Sequence, residues 1–388
     1  MGYAFDLDDV AFLRSEAGRA ALAALAERPL TDRIADVAAA RDLAGARFAA
    51  AALETAVLRR KAASKLDGVG GWLFTADALQ QATTAAVARH RAQRLAGRDV
   101  HDLTCSIGAD LREIAAVAHR CLGSDLDEVR LAMARHNLAG HDVALARADA
   151  LRPVSRDAVL VADPARRDDA GRRRWNPADL QPPLDELLAA CAGRDLVVKC
   201  APGLDFAAMP ADAEIEIVSL AGQVREAAVW LGGLAAAGVR RRASVLRADG
   251  SRDELTDAEP DDCPTREAGQ WLVDPDGAVV RAGLVRQYAA RHGLGQLDPR
   301  IAYLTGDEPP AGIRAFRVLD HGKYTEKALR ALLRQHDVGR LEIMARGVDI
   351  DPDALRKRLK PRGSAEATAV LTRVGSTPRA YLCRAERT

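Results

Sequence analysis

Four aspartates punctuate residues 98–167, each beside small or stiff neighbours: Asp102-Leu-Thr-Cys-Ser106-Ile-Gly108, Asp125-Leu126, Asp149-Ala150 and Asp163-Pro164-Ala165-Arg166. If each closes a strand of one parallel sheet, the carboxylates gather at a single edge, where such sheets bind nucleosides. Asp102 can accept a hydrogen bond from a ligand ammonium, Asp125 can take both hydroxyls of a ribose, and Asp149 can accept from an adenine amino group. Ser106 is small and Gly108 lacks a Cβ, so the chain between strand and helix can pass close to a ligand. Together the residues suit a nucleoside carrying a positive charge, and the cofactor expected is S-adenosyl-L-methionine. A dinucleotide fits less well. Its G-x-G-x-x-G fingerprint would fall on Ser106, Gly108 and Leu111, leaving one glycine, and Asp110 at the helix start would repel a pyrophosphate.

Methyl transfer from a sulfonium is an in-line displacement, so it needs alignment and exclusion of water more than acid–base groups. Asp163 can accept from an amino group and Pro164 stiffens its loop, so Asp163, Pro164, Ala165 and Arg166 are the candidate catalytic segment. Arg166, Arg167, Arg172 and Arg173, followed by Trp175, offer a local nucleic-acid contact, with Arg167 and Arg172 as substrate-binding candidates. The same stretch also reads as a solvated loop, because Asp168 and Asp169 offset its charge. Lys199 at a strand end can hold a phosphate or carboxylate, or form an ordinary surface ion pair. Gln81 and Thr83 can close over the pocket, although a helix cap explains Thr83 as well. His101 and His119 lack a partner at recognisable spacing and receive no role. No metal site is expected.

These groups require elements to carry them. Apolar runs at 100–103, 120–123, 143–147, 158–162 and 195–199, separated by helical stretches, predict βα units with right-handed crossovers. Residues 214–220 and 225–231 predict a hairpin, and 243–247 an added strand. Residues 9–95 show apolar positions three and four apart, a helical region interrupted at Pro29 and at Gly68-Val-Gly-Gly71. The acidic segment 249–264 reads as a linker. Beyond it, helices over 283–292 and 325–335, strands over 316–319 and 340–344, a helix capped at Asp351-Pro352 and a hairpin turning at 375–378 form a smaller α+β pattern. The expected domains are 1–95, 96–248 and 265–388.

With 388 residues, 48% apolar content and a net charge of +1, the chain can pack several cores but has no global basic field. A nucleic-acid surface would have to be a local patch. Six scattered cysteines without a C-x-x-C pair speak against zinc and for reduced thiols, hence a cytoplasmic setting, and no run approaches the ~20 apolar residues of a membrane span.

The sequence resembles the class I S-adenosylmethionine-dependent methyltransferases, and more narrowly bacterial proteins that join such a domain to a THUMP-like C-terminal domain. The resemblance is carried by Leu79-Gln80-Gln81-Ala82-Thr83, Asp102 to Asp110, Asp163-Pro-Ala-Arg-Arg167 with Gly171-Arg172-Arg173, Lys199-Cys-Ala-Pro202-Gly203, and Gly339 to Gly347. It implies a Rossmann-like α/β sheet behind an N-terminal helical region, followed by the α+β THUMP-like domain. It also implies transfer of a methyl group to a base nitrogen of tRNA or rRNA, with the C-terminal domain binding RNA. Related enzymes carry Asn/Asp-Pro-Pro-Tyr/Phe where this chain has Asp163 to Arg166, so the base-stacking aromatic is replaced by Ala165-Arg166. A glycine is usual where Ser106 stands, a departure expected to weaken cofactor affinity. Two other readings remain: a small-molecule methyltransferase, and an RNA-binding protein that keeps the fold without turnover. Oligomeric state is not readable.

Overall fold

The computed structural model describes residues 2–166 and 180–388. Arg167, Arg172, Arg173 and Trp175 therefore lie outside the described residues. The chain forms two compact units, Met1–Leu220 with Arg225–Ala237, and Ala221–Val224 with Gly238–Thr388.

The first unit begins with helices α1 (Leu7–Arg14), α2 (Glu16–Ala26), α3 (Arg33–Ala62), α4 (Ala76–Gln81) and α5 (Ala85–Gln93). Local chemistry sets their starts. Asp6 Oδ1 accepts from the Asp9 N–H at 2.8 Å while Asp9 Oδ2 accepts from the Asp6 N–H at 3.1 Å, a reciprocal cap worth about 1 kcal/mol. Thr75 caps α4, and Gly45, at φ +73°, interrupts α3. Leu13, Leu22, Leu25, Leu58, Leu73 and Phe74 from this region share one buried cluster with Ile107 and Met133.

The sheet comes next: β1 (Asp99–Asp102), β2 (Arg120–Asp125), β3 (Ala144–Arg147), β4 (Val159–Ala162), a short ribbon of β5 (Ala165–Arg166) and β6 (Leu180–Gln181), then β7 (Leu196–Cys200), β8 (Glu214–Leu220) and β9 (Gln223–Leu231). Helices α6 (Ala109–Ala115), α7 (Glu128–Asn137) and α8 (Leu184–Ala190) alternate with the strands. Side by side the order is β8-β9-β7-β4-β1-β2-β3. The five strands from β7 to β3 are parallel, and β9 runs antiparallel to β7. Parallel strands covered on both faces are apolar throughout, and β4 is buried at all four positions. Asp102 stands level with Gly123, and Asp125 with Arg147, so the strand ends carrying the aspartates share an edge.

Helix α5 meets the β8–β9 hairpin through buried charges. The Arg91 guanidinium donates from Nη2 to Glu226 Oε1 at 2.9 Å and from Nη1 to Asp110 Oδ2 at 3.0 Å. One turn away, Arg94 Nη1 donates to Glu214 Oε1 at 2.7 Å, and its guanidinium lies 3.8 Å from the Trp230 ring centroid. Glu216 accepts from the Trp230 indole at 2.8 Å and lies 2.7 Å from His90 Nε2.

In the second unit, β10 (Arg241–Leu246) pairs with β11 (Arg252–Thr256). All of β11 lies within 249–264, the segment expected to be a linker, and that expectation is corrected. Its pattern is charged because its buried residue is Leu255, level with Ala243, while Glu254 faces outward to pair with Arg242 at 2.8 Å. A seven-stranded sheet completes the unit, built from β12 (Trp271–Val273), β13 (Gly295–Gln296), β14 (Leu304–Gly306), β15 (Arg314–Lys323), β16 (Val338–Ala345), β17 (Ala365–Val374) and β18 (Thr377–Arg387), in the order β13-β14-β12-β15-β18-β17-β16. Helices α9 (Gly277–Arg281) and α10 (Val285–Arg291) precede β13. Helices α11 (Glu326–Gln335) and α12 (Pro352–Leu359) bury Leu329, Leu333, Leu355 and Leu359 in one cluster with Leu341, Ile343, Leu371 and Leu382 of the sheet. Phe316, Val370, Tyr381 and Cys383 belong to a second cluster with Tyr303. Among the described residues no helix is long and apolar enough to cross a membrane.

Candidate active site

The carboxyl ends of β1, β2 and β4, with the segments after them, wall a cavity of about 670 Å³. Eight carboxylates line its described wall (Asp77, Asp102, Asp110, Asp125, Asp127, Asp149, Asp163 and Glu186) against a single arginine, Arg130. A concave surface of one charge sign concentrates ligands of the other. The donor set therefore fits a nucleoside bearing ammonium and sulfonium charges, and disfavours a pyrophosphate.

Asp102 is buried at the end of β1, where its Oδ1 accepts from the Thr104 N–H at 3.0 Å. Burial pushes its carboxyl up to about 8, the Thr104 N–H opposes that shift, and the charges of Asp110 and Asp163 add to it. Ser106 takes a left-handed φ of +49°, which costs about 1–2 kcal/mol in a non-glycine residue. Its N–H donates to Asp125 Oδ2 at 2.9 Å, and a charged hydrogen bond of about 1.5–3 kcal/mol offsets that strain. Asp125 Oδ1 accepts from the Asp127 N–H at 2.9 Å, so the carboxylate is fixed at both oxygens while retaining free lone pairs. Asp149 Oδ1 accepts from the Leu151 N–H at 2.9 Å, and Leu126, 58% exposed, joins Ala150 on the wall.

Gly108 is not a wall residue. It starts α6 at φ +87°, and a Cβ there would lie 2.8 Å from Leu138 Cδ1. Gly108→Ala is expected to destabilise the protein by about 1–3 kcal/mol, read as a lowered urea midpoint, and a midpoint equal to wild type would contradict the packing.

Asp163 follows β4, and its N–H donates to Thr104 Oγ1 at 2.7 Å. Lys199 Nζ donates to Asp163 Oδ2 at 2.5 Å and to the Gln81 carbonyl at 3.3 Å. Burial would lower the Lys199 ammonium, but the charges of Asp163 and Asp110 outweigh it and hold it above its ordinary value. Lys199 thus partners Asp163 from behind the wall, and Pro164 also lies off it. Ala165 lines the cavity, and Arg166 pairs with Leu180 in the β5–β6 ribbon. The structure accordingly brings Asp102, Ser106, Asp125, Leu126, Asp149, Ala150, Asp163 and Ala165 to one cavity.

The ribbon carries Gln181, Pro182 and Pro183 to the wall, a contribution the sequence reading missed. The Gln-Pro-Pro run was the available signal, since paired prolines stiffen a turn. Asp77, Asp127 and Glu186 were also missed. Asp127 additionally caps α7, and Asp77 lies in the first turn of α4, so a helix-start role accounts for either from sequence. Thr83 Oγ1 donates to Asp110 Oδ2 at 3.1 Å. His101 bridges Ser155 and Ser124 at 2.8 and 2.9 Å, and burial together with Arg194 lowers it to about 4, which makes it a neutral structural residue.

A parallel sheet reversed by one inserted antiparallel strand, with an acidic nucleoside-sized cavity at its carboxyl edge, defines an α/β enzyme that uses a cationic nucleoside. Two Mycobacterium tuberculosis proteins, from strains CDC 1551 / Oshkosh and ATCC 25618 / H37Rv, are each 57% identical over 350 residues, 86% of this chain and 97% of theirs. Both are named as uncharacterized S-adenosylmethionine-dependent methyltransferases. A Porphyromonas gingivalis W83 protein classed among the methyltransferases shares the fold, with a TM-score of 0.74 at 20% identity over 100% of both chains. A THUMP domain-like family matches residues 313–385, and a domain of unknown function matches residues 6–62. The chain belongs to the S-adenosylmethionine-dependent methyltransferases and ends in a THUMP-like domain. It is an enzyme whose cofactor is S-adenosylmethionine, as the sequence led one to expect.

Proposed function

We propose that the enzyme methylates a base nitrogen of tRNA or rRNA, with the C-terminal domain binding the RNA. The observation that carries this reading is Asp163, a carboxylate at the tip of β4 on the donor cavity, locked by Lys199 and by its own N–H to Thr104. The bound cofactor supplies an electrophilic methyl group on sulfonium. Asp102 and the Ser106 turn hold its amino-acid end, Asp125 the ribose, and Asp149 with Leu126 and Ala150 the adenine. Asp163 accepts from the exocyclic amino group of the acceptor and points the nitrogen lone pair into the cavity. Ala165, Gln181, Pro182 and Pro183 exclude water on that side.

RNA is favoured by the THUMP-like match and by the charge pattern of that domain. Across the antiparallel β15–β18 pair, Arg317 stands opposite Arg384 and Lys323 opposite Arg379. Arg384 and Arg379 are five residues apart on β18 and so lie on opposite faces of the sheet; like charges directly opposed destabilise a sheet, and a polyanion seated over either pair relieves it. Cell extract treated with labelled donor should incorporate label that ribonuclease releases. Label surviving in small metabolites would transfer the reading to a small-molecule acceptor, and no incorporation at all would leave a fold without turnover.

Two results are expected for the donor. Asp125→Ala should weaken its binding by about 1.5–3 kcal/mol, the worth of a charged hydrogen bond, and unchanged calorimetric affinity would remove Asp125 from the ribose. Asp102 carries its proton at neutral pH, because its carboxyl stands at about 8. A cationic ligand favours the carboxylate, so binding below pH 8 releases a proton. Affinity should rise up to tenfold per unit as pH climbs toward 8 and level off above it, with Asp102→Asn flat across the range. Without ligand the sign is opposite: the raised carboxyl stabilises the fold at low pH, and that contribution is lost as pH rises through 8.

A further inference from the structure

Besides the donor cavity, the first unit has a second pocket of about 760 Å³, walled by α2, the end of α3, the Gly68–Trp72 loop and His136 of α7. Its floor is apolar, with Leu13, Leu22, Ala56 and Trp72. Its polar wall is entirely cationic or imidazole, namely Arg19, Arg59, Arg60 and His136, and no carboxylate lines it among the described residues. The guanidiniums are held by carbonyls. Arg59 donates from Nε to the Trp72 carbonyl and from Nη2 to that of Gly71, both at 2.8 Å, and Arg60 donates to the carbonyls of Ala26 and Pro29. Arg19 donates to the Arg14 carbonyl at 2.5 Å. Carbonyls fix these groups in place without neutralising them, so a preset array of guanidiniums faces any anion that enters. His136 registers that field: burial lowers it, and Arg14, Arg59 and Arg19 push it further down against the opposing Gly71 carbonyl.

We infer that this pocket is an anion site for a nucleotide, seating a phosphate between Arg19 and Arg59 with its sugar or base against the apolar floor. An apolar floor beneath a basic wall matches a nucleotide better than an inorganic ion, which would leave the floor unused. The phosphate can come from the RNA acceptor, an origin that rests on the function proposed above, or from a free mononucleotide.

Arg19→Glu tests the site, because Arg19 is exposed and its replacement leaves the α3 and loop contacts of Arg59 intact. The exposed Arg41→Glu on α3 changes net charge equally away from the pocket. Full-length protein saturated with S-adenosylhomocysteine, which fills the donor cavity, is titrated with a labelled oligoribonucleotide and separately with AMP. Arg19→Glu should weaken the oligonucleotide at least about tenfold and flatten its salt dependence, with Arg41→Glu near wild type. Loss of AMP binding in Arg19→Glu alone identifies a free nucleotide as the occupant, and does so even if RNA proves not to be the methyl acceptor. Equal behaviour of the two variants, or no binding of either probe to wild type, overturns the site.

Discussion

Asp163→Ala is expected to cut turnover roughly a hundredfold, the scale seen when one preorganised group facing the reacting centre is removed. Donor affinity should change far less, because the groups assigned to the donor lie on β1, β2 and the loop after β3. The variant also strands Lys199, whose ammonium sits 2.5 Å from the lost oxygen and, among the described residues, otherwise donates to the Gln81 carbonyl. Lys199→Met combined with Asp163→Ala separates the two effects: if Lys199 only positions Asp163, the double variant is no slower than Asp163→Ala. Single-turnover measurement with donor saturating isolates the chemical step, and a full rate there would remove Asp163 from catalysis.

Arg91→Ala is expected to destabilise the first unit by about 3–5 kcal/mol, the range for removing one member of a buried ion network. The guanidinium is 3% exposed and serves Glu226 and Asp110 together. Burial alone would lower it, but those two carboxylates more than compensate and keep it charged, and it in turn holds Asp110 below the usual carboxylate range. Without it, Glu226 and Asp110 lose the buried cation they share. The melting temperature should fall by more than about 6 °C, and Glu226→Gln in the same chain should recover part of that loss. A single variant melting with wild type would show the charges to be solvated.

Part of the sheet was legible because β4 and β7 are short apolar runs between helical stretches, and burial on both faces leaves that mark. The hairpin at 214–231 and the Asp351-Pro352 helix start were legible for equally local reasons. Longer-range chemistry was hidden. Arg91 in α5 and Arg94 just past its end find Glu226 and Glu214 far along the chain, pairings that no local pattern announces. Strand β11 escaped notice because a single leucine is its apolar content, and the β5–β6 ribbon because two residues show no period. In the site, the aspartates at strand ends were readable by position. Lys199 left phosphate binding open from sequence beside the commoner ion pair, and its neighbour in space is Asp163. Ser106 holds Asp125 through its backbone N–H, a contact that no side-chain type could announce.

The acidic lining of the donor cavity also governs product release. Methyl transfer converts a sulfonium to a neutral thioether, so the spent nucleoside carries one positive charge fewer than the fresh one. On the proposed seating the acidic lining favours the charged donor over its neutral product. The charge difference would therefore favour exchange of the spent nucleoside for a fresh one, and added salt would narrow that preference.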